Sequence, residues 1–408
     1  MPQLLFSSFS GVIFEKTIGA FAAVASNHLF ASEYGASFFG ELQFVLSLVY
    51  VVGSVGLIFS AEAIAPIFGR HPRLRHIVFY KAFRFRVGSS LGVMLFFMMA
   101  VALSMHSSSI ALTLIASLVI LVEPISLGSL MAYAEARPWV ITRAKAYASG
   151  ARVLWLFMAA HASAGAVVAS IAWPLEACVA AVGPFSRYWA LAFNRPKSLH
   201  GSDTITRTLV TRGLKIWPAI AASVLVLRMD RLILGILMSK TDLGIYSAAA
   251  SLIEQWNSVG ATLALALAPS MVFVERDESQ LRRRAVKLTA FLTVIAIVAW
   301  IGSLFCGRWF FLLIYGLAFE RGVPIMIFGA LCAVLTFADA GLSTWLVAAK
   351  RYRLITVKQT LTVLMIAVVP FNSPKSLLMY SPAIATALSL AVFWSWLIIR
   401  LSLRRASL

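Results

Sequence analysis

The sequence predicts an all-α, polytopic membrane protein of about twelve transmembrane helices in two six-helix bundles. Three observations predict it: the composition, a one-sided distribution of basic residues, and an internal repeat at half the chain length. Of 408 residues, 61% are hydrophobic and 12% charged, whereas soluble domains keep about a quarter of their residues charged. Apolar runs of about 20 residues recur from end to end, the length that crosses roughly 30 Å of hydrocarbon. No cleavable leader is expected. The first basic residue is Lys16, behind the mixed stretch SSFSGVIFE, and no small-residue cleavage site precedes a polar domain.

The spans fall at about 12–30, 40–66, 85–105, 109–134, 146–160, 165–193, 214–237, 243–272, 288–306, 323–349, 355–371 and 378–400, the fifth and eleventh being short. This divides the chain into an N-terminal lobe (1–193), a cytoplasmic linker (194–213) and a C-terminal lobe (214–408). With the N-terminus inside, the inner segments hold Lys16 and the clusters at 70–86, 137–152, 187–215, 276–287, 350–358 and 400–405. Of the 35 Lys and Arg, only Lys240, Arg308, Arg321 and Lys375 fall outside, and Arg228 and Arg231 remain within span seven. That asymmetry supports both the span count and an N-in, C-in topology. The net charge of +19 is therefore a topology signal with some affinity for anionic headgroups. No basic domain stands clear of the membrane, which argues against a nucleic-acid partner.

The repeat runs Gly40-x6-Ser47-Leu48-x5-Ser54-Val55-Gly56 and returns as Gly244-x6-Ser251-Leu252-x5-Ser258-Val259-Gly260. Each copy leads into a basic loop. Further on, Arg137-Pro-Trp-Val-Ile-Thr-Arg-Ala-Lys145 is similar to Arg351-Tyr-Arg-Leu-Ile-Thr-Val-Lys358. Parallel repeats of this kind are a transporter architecture, with the substrate path between the halves.

Charged residues inside spans are the candidates for chemistry, because ionised groups normally face a bundle interior or a wet cavity. Span seven carries Arg228-Met-Asp230-Arg231. Arg228 and Arg231, three apart, share a helical face, with Asp230 turned about 100° from Arg231. Their guanidinium forks suit phosphate oxygens; pairing with acids on neighbouring helices is the alternative. In span eight, Ser247, Ser251, Glu254 and Ser258 form one stripe. Ser251 and Ser258 are then candidates for substrate contact and Glu254 for ion coupling, together with Asp230; close helix packing through small residues is the competing account. Glu62, Glu123, Glu176 and Asp339 read as structural partners, and Glu123, before Pro124, as a kink in span four. Glu15-Lys16 opens span one at the inner surface.

No cofactor or metal site is expected. The three cysteines stand singly, the six histidines are scattered, and no metal-ligand or nucleotide-binding spacing occurs. Outer loops are short, which disfavours a membrane enzyme of glycan assembly.

The stretch Arg228-Met-Asp230-Arg231-Leu-Ile-Leu-Gly235, followed by Asp242-Leu-Gly244-Ile-Tyr246 and Glu254-Gln-Trp256, resembles helices seven and eight of bacterial polysaccharide flippases. Glu33-Tyr-Gly-Ala-Ser-Phe-Phe-Gly40 is similar to their first outer loop. These exporters of O-antigen and capsule units share a superfamily with multidrug extrusion proteins and lipid II flippases. The resemblance implies a V-shaped flippase of the bacterial inner membrane with a cationic cavity, handling undecaprenyl-pyrophosphate-linked oligosaccharide by alternating access. It also implies proton or sodium coupling and a place beside a polysaccharide polymerase in an assembly complex. Family members place cations on several cavity helices, whereas spans two and eight here carry only acids. The anion site is thus expected to rest on Arg228, Arg231 and Lys16. A cation-coupled drug antiporter of the same fold is the runner-up and would favour an acidic, aromatic cavity.

Overall fold

The structure, a computed structural model, describes residues 2–57, 64, 68, 74–104, 107–135, 137–193, 202–273 and 277–406. Glu62, Arg70, Arg73, Arg276 and linker residues 194–201 lie outside the described residues, as does the side chain of Glu15.

The described residues are helical and contain no strand. In lipid every backbone donor and acceptor must be satisfied within the segment, and a helix does that locally. Helix α1 (Pro2–Val55) is followed by α2 (Arg75–Ser104), α3 (Ser107–Val122), α4 (Leu127–Ala134), α5 (Pro138–His161), α6 (Ala166–Ala169), α7 (Ala172–Ser186) and α8 (Trp189–Phe193). The second half holds α9 (Ser202–Leu237), α10 (Lys240–Met271), α11 (Glu278–Tyr315), α12 (Val323–Ala348), α13 (Tyr352–Asn372) and α14 (Ser381–Ala406). Counting α1 as two spans, α3 with α4 as one, and α6 to α8 as one, these make the twelve expected.

Two boundaries differ instructively. The loop expected between spans one and two is a kink at a single residue, Gly35, with φ 75° and ψ 174°. A residue with a Cβ pays for positive φ and glycine does not, so the chain leaves helical geometry at this one residue and resumes it at the next. Residues 202–213, expected as linker, are the opening turns of α9.

By contact the chain forms two compact units, Met1–Tyr34 with Glu41–Val224, and Gly35–Gly40 with Leu225–Leu408. In the first, α7 packs on α3, α4 and α5, and α2 on α3 and α8. Its core centres on Phe79 and Phe83 of α2 against Phe185 of α7, with the Phe83 and Phe185 ring centroids 5.3 Å apart. In the second, α12 packs on α10, α11 and α14, and α13 on α14, around Leu288, Leu292, Phe337 and Phe393. Large apolar side chains also point outward, Phe305 at 82% and Phe21 at 80% exposure. Facing lipid, they need no burial, and packing rather than water exclusion holds helix to helix.

The repeat maps onto matched spans. Gly40–Gly56 lies in span two and Gly244–Gly260 in span eight, within α1 and α10. Arg137 and Arg351, the first residues of the second match, are the N-caps of α5 and α13, which are spans five and eleven.

The kink expected at Pro124 is present. Helix α3 stops at Val122 and residues 123–126 form a turn before α4. Proline has no N–H to continue the ladder. Arg86 Nη1 covers the break, donating to Glu123 O at 3.3 Å, Glu123 Oε1 at 3.2 Å and Ser126 Oγ at 3.0 Å.

A carboxylate between two cations in the second unit

Eight helical segments among the described residues are long and apolar enough to cross a membrane by length and composition, and α5, α9 and α10 are not among them. Each of the three carries a charged residue in its interior: Arg152 in α5, Arg228, Asp230 and Arg231 in α9, and Glu254 in α10. In α9, Arg228 lies nine residues before Leu237, about 14 Å along the axis and too far in for simple placement at the helix end.

The structure brings the predicted charges of spans seven and eight together. Arg231 is fully buried and donates through Nη1 to Glu254 Oε1. Arg228 Nη1 lies 3.8 Å from Glu254 Oε2, with 26% of its side chain exposed. One carboxylate thus stands between two guanidiniums, as their three-residue spacing on one face allows. Asp230 is near as well, its Oδ1 3.7 Å from Arg231 Nη1, while Oδ2 accepts from Tyr246 OH at 2.6 Å. The pairing open to Arg231 in sequence is the one realised, and Arg228 is the member of the pair that keeps exposed surface.

Asp230, Tyr246, Glu254 and Asn257 line a cavity of about 220 Å³ within this unit, with Phe328 and Tyr380 among its apolar walls. Asp230 Oδ1 and Asn257 Oδ1 have no hydrogen-bond partner, nor do Nε and Nη2 of Arg231. Buried polar atoms are normally satisfied, so the cavity stands out for its unpartnered acceptor oxygens beside an under-used guanidinium.

The serines of the stripe do not line this cavity. Ser251 is buried and donates to Ser247 O at 2.7 Å, and Ser258 is half-buried, its carbonyl accepting from Thr262 Oγ1 at 2.7 Å. The face that α10 turns to the cavity is Ala250, Ile253, Glu254 and Asn257, one step round from the serines. Lys16 is exposed on α1.

Glu123, Glu176 and Asp339, expected as structural partners, are each ion-paired. Glu123 holds Arg86 at 3.2 Å. Asp339 accepts from Lys358 Nζ at 2.7 and 2.8 Å and from Trp394 Nε1 at 2.8 Å. Glu176 lies between Lys145 Nζ at 2.6 Å and Arg152 Nη1. Arg152 corrects the sequence reading, which counts it and Arg86 as inner-segment charges. It sits 14 residues into α5 and is buried, about 21 Å from the helix start. The seven-residue spacing of Lys145 and Arg152, two turns on one face, is the signal that could have found the pair.

The family described as polysaccharide biosynthesis protein matches residues 36–324. No curated protein sequence matches the chain. Among solved structures, a multidrug resistance MATE family transporter of the MOP superfamily, in an inward-facing conformation, superposes with a TM-score of 0.70 at 13% identity, over 97% of this chain and 99% of that one. The lipid II flippase MurJ in an inward closed conformation gives 0.70 at 14% identity, over 97% and 87%. A MOP superfamily transporter from Pyrococcus furiosus, described by a binding pocket of reverse polarity, gives 0.60 at 12%, over 98% and 95%. At these identities the likeness establishes the fold.

Proposed function

Because the chain belongs to the polysaccharide biosynthesis protein family and has the fold of MOP-superfamily transporters and flippases, we propose that it flips an undecaprenyl-pyrophosphate-linked oligosaccharide from the cytoplasmic to the periplasmic leaflet of a bacterial inner membrane. The observation that carries this reading is the Arg228–Glu254–Arg231 cluster, two guanidiniums of α9 on one carboxylate of α10.

In this reading the roles of the two arginines differ. Arg231, fully buried, anchors Glu254. Arg228, partly exposed and at 3.8 Å, is the looser partner and the one a diphosphate headgroup engages by displacing the carboxylate. Lys16, exposed on α1, contributes at the inner surface. Glu254 and Asp230 couple the cycle to protons or sodium. A proton on Glu254 removes the charge that holds both guanidiniums and so ties ion binding to anion binding. Ser251 and Ser258 contribute through the packing of α10, their hydroxyl and carbonyl being engaged within the helix. Alternating access of the two lobes, 1–193 and 214–408, carries the headgroup across, with both termini cytoplasmic and a polysaccharide polymerase as the downstream partner.

The drug-antiporter reading has less support, because a cationic drug would need an acid that is not already held by two arginines. Complementation decides between them: Arg228→Ala in a glycan-export mutant should insert normally and lose export. Full export by that variant would overturn the assignment.

A further inference from the structure

The first unit repeats the arrangement with different residues. Glu176 of α7 lies between a buried arginine, Arg152, and a half-exposed cation, Lys145, whose side chain keeps 34% of its surface. Arg152 Nε donates in addition to Ser26 Oγ of α1 at 2.7 Å. The cluster therefore spans α1, α5 and α7. Arg152 lies nine residues before the end of α5, as Arg228 does in α9.

Charge balance gives the cluster its meaning. Among the described residues two cations face one carboxylate, leaving about one positive charge uncompensated beside apolar helices, where an isolated charge is costly. Arg152 is committed by burial, by Glu176 and by Ser26. Lys145 is not: it has one partner among these contacts, Glu176 Oε1 at 2.6 Å. Its chain passes over Gly19 of α1, where an added Cβ would stand 3.8 Å from Lys145 Cε. Gly19 is one turn beyond the exposed Lys16 on the same face. Lys16, Lys145 and Arg152 thus form a basic ladder from the first third of α1 to the middle of α5.

We propose that Lys145 and Arg152 form a second anion site, in the first unit, in which Glu176 holds the place of a diphosphate until the diphosphate displaces it. The proposal rests on the flippase reading for its ligand class. A carboxylate and a phosphate present similar oxygens to an ammonium and a guanidinium, so one replaces the other without moving the cations. The bound diphosphate supplies the negative charge that the empty cluster lacks.

The test measures inorganic pyrophosphate binding to the full-length protein in phosphatidylcholine nanodiscs, by calorimetry, in an Arg228→Ala background that removes the other site. Lys145→Gln should weaken the remaining binding about tenfold, about one lost charge-assisted contact. Lys145→Arg should restore it. Glu176→Gln, which removes the competing charge, should tighten it. Unchanged affinity in Lys145→Gln, or weaker binding in Glu176→Gln while the thermal midpoint is preserved, would overturn the proposal. Loss of the binding in discs containing phosphatidylglycerol would reassign the site to bilayer headgroups and overturn the diphosphate. These outcomes are separate from the export assay of Arg228→Ala, so either reading can fail alone.

Discussion

Gly40 and Gly244, matched by the sequence repeat, meet backbone to backbone. A Cβ built on Gly40 would stand 2.0 Å from the carbonyl oxygen of Lys240 and 2.7 Å from the amide nitrogen of Gly244. A Cβ on Gly244 would stand 1.9 Å from the carbonyl oxygen of Ala36. Side-chain carbon never comes so near backbone, so both positions require glycine. The contact also explains why six residues of α1, 35–40, belong to the second unit.

Gly244→Ala should therefore force the two backbones apart, at a cost of about 1–3 kcal/mol or more, the usual penalty of overpacking. Gly88→Ala, where an added Cβ meets nothing within 4 Å, is the control. Thermal midpoints of the purified variants read the difference, and equal midpoints would contradict the close approach.

The two arginines of α9 should separate by assay. Removing one partner of a buried pair costs about 3–5 kcal/mol, and Arg231 is fully buried while Arg228 is not. Arg231→Ala is expected to lower the amount of folded protein, and Arg228→Ala to leave it near normal. Detergent-solubilised yield and midpoint decide this; equal losses would mean that both arginines are structural.

Helix α11, at 38 residues, is about 57 Å long and extends beyond a hydrocarbon core of about 30 Å. Its exposed N-cap, Asp277, accepts from the Ser279 hydroxyl and from the Gln280 amide at 3.1 Å. The Ser279 hydrogen bond first, and then the amides, hold its carboxyl below the ordinary value. A lowered folded value means stabilisation that is present at neutral pH and lost as pH falls through it. Protection of the amides at the start of α11, measured against their intrinsic exchange rate at each pH, should fall in acid for the native chain and lose that dependence in Asp277→Asn, which caps without titrating; equal pH dependence in the two would remove the cap from the account.

Much of this was legible in the chain because membrane helices carry their own signal. Apolar length gave the twelve spans, and intramembrane charge pointed to Arg228, Arg231, Asp230 and Glu254, which the fold gathers. The Gly35 kink was not legible, since a glycine in a short polar stretch reads equally as loop. Nor was the Arg152–Glu176 pair. Its partners are 24 residues apart on helices whose rotation no local pattern specifies, and the low hydropathy of α5 shortened the span until Lys145 fell outside it. The serine stripe was read on the right helix but one step round from the cavity, because Glu254 belongs to both faces.

Energy coupling is the remaining prediction, and the geometry gives it a mechanism. In the proposed flippase cycle the drive is an ion gradient or removal of product. Glu254 is the single carboxylate shared by Arg228 and Arg231, and it lines the cavity that also holds the unpartnered oxygens of Asp230 and Asn257. Protonating Glu254 takes away the charge that both guanidiniums face; Arg231 keeps Asp230 at 3.7 Å as a counter-charge, and Tyr246 of α10 still donates to Asp230 at 2.6 Å, so the helix pair stays linked while Arg228 turns to an anion. Glu254→Gln copies the protonated state permanently. It should fold, bind pyrophosphate at Arg228 more tightly than the native chain, and translocate headgroups in proteoliposomes at a rate indifferent to an imposed pH gradient. Asp230→Asn should act less selectively, since it also weakens the second counter-charge of Arg231 and the bond from Tyr246. If Glu254→Gln retains the native response to the gradient, Glu254 is a structural counter-ion for Arg231, and the coupling group must be sought at Asp230.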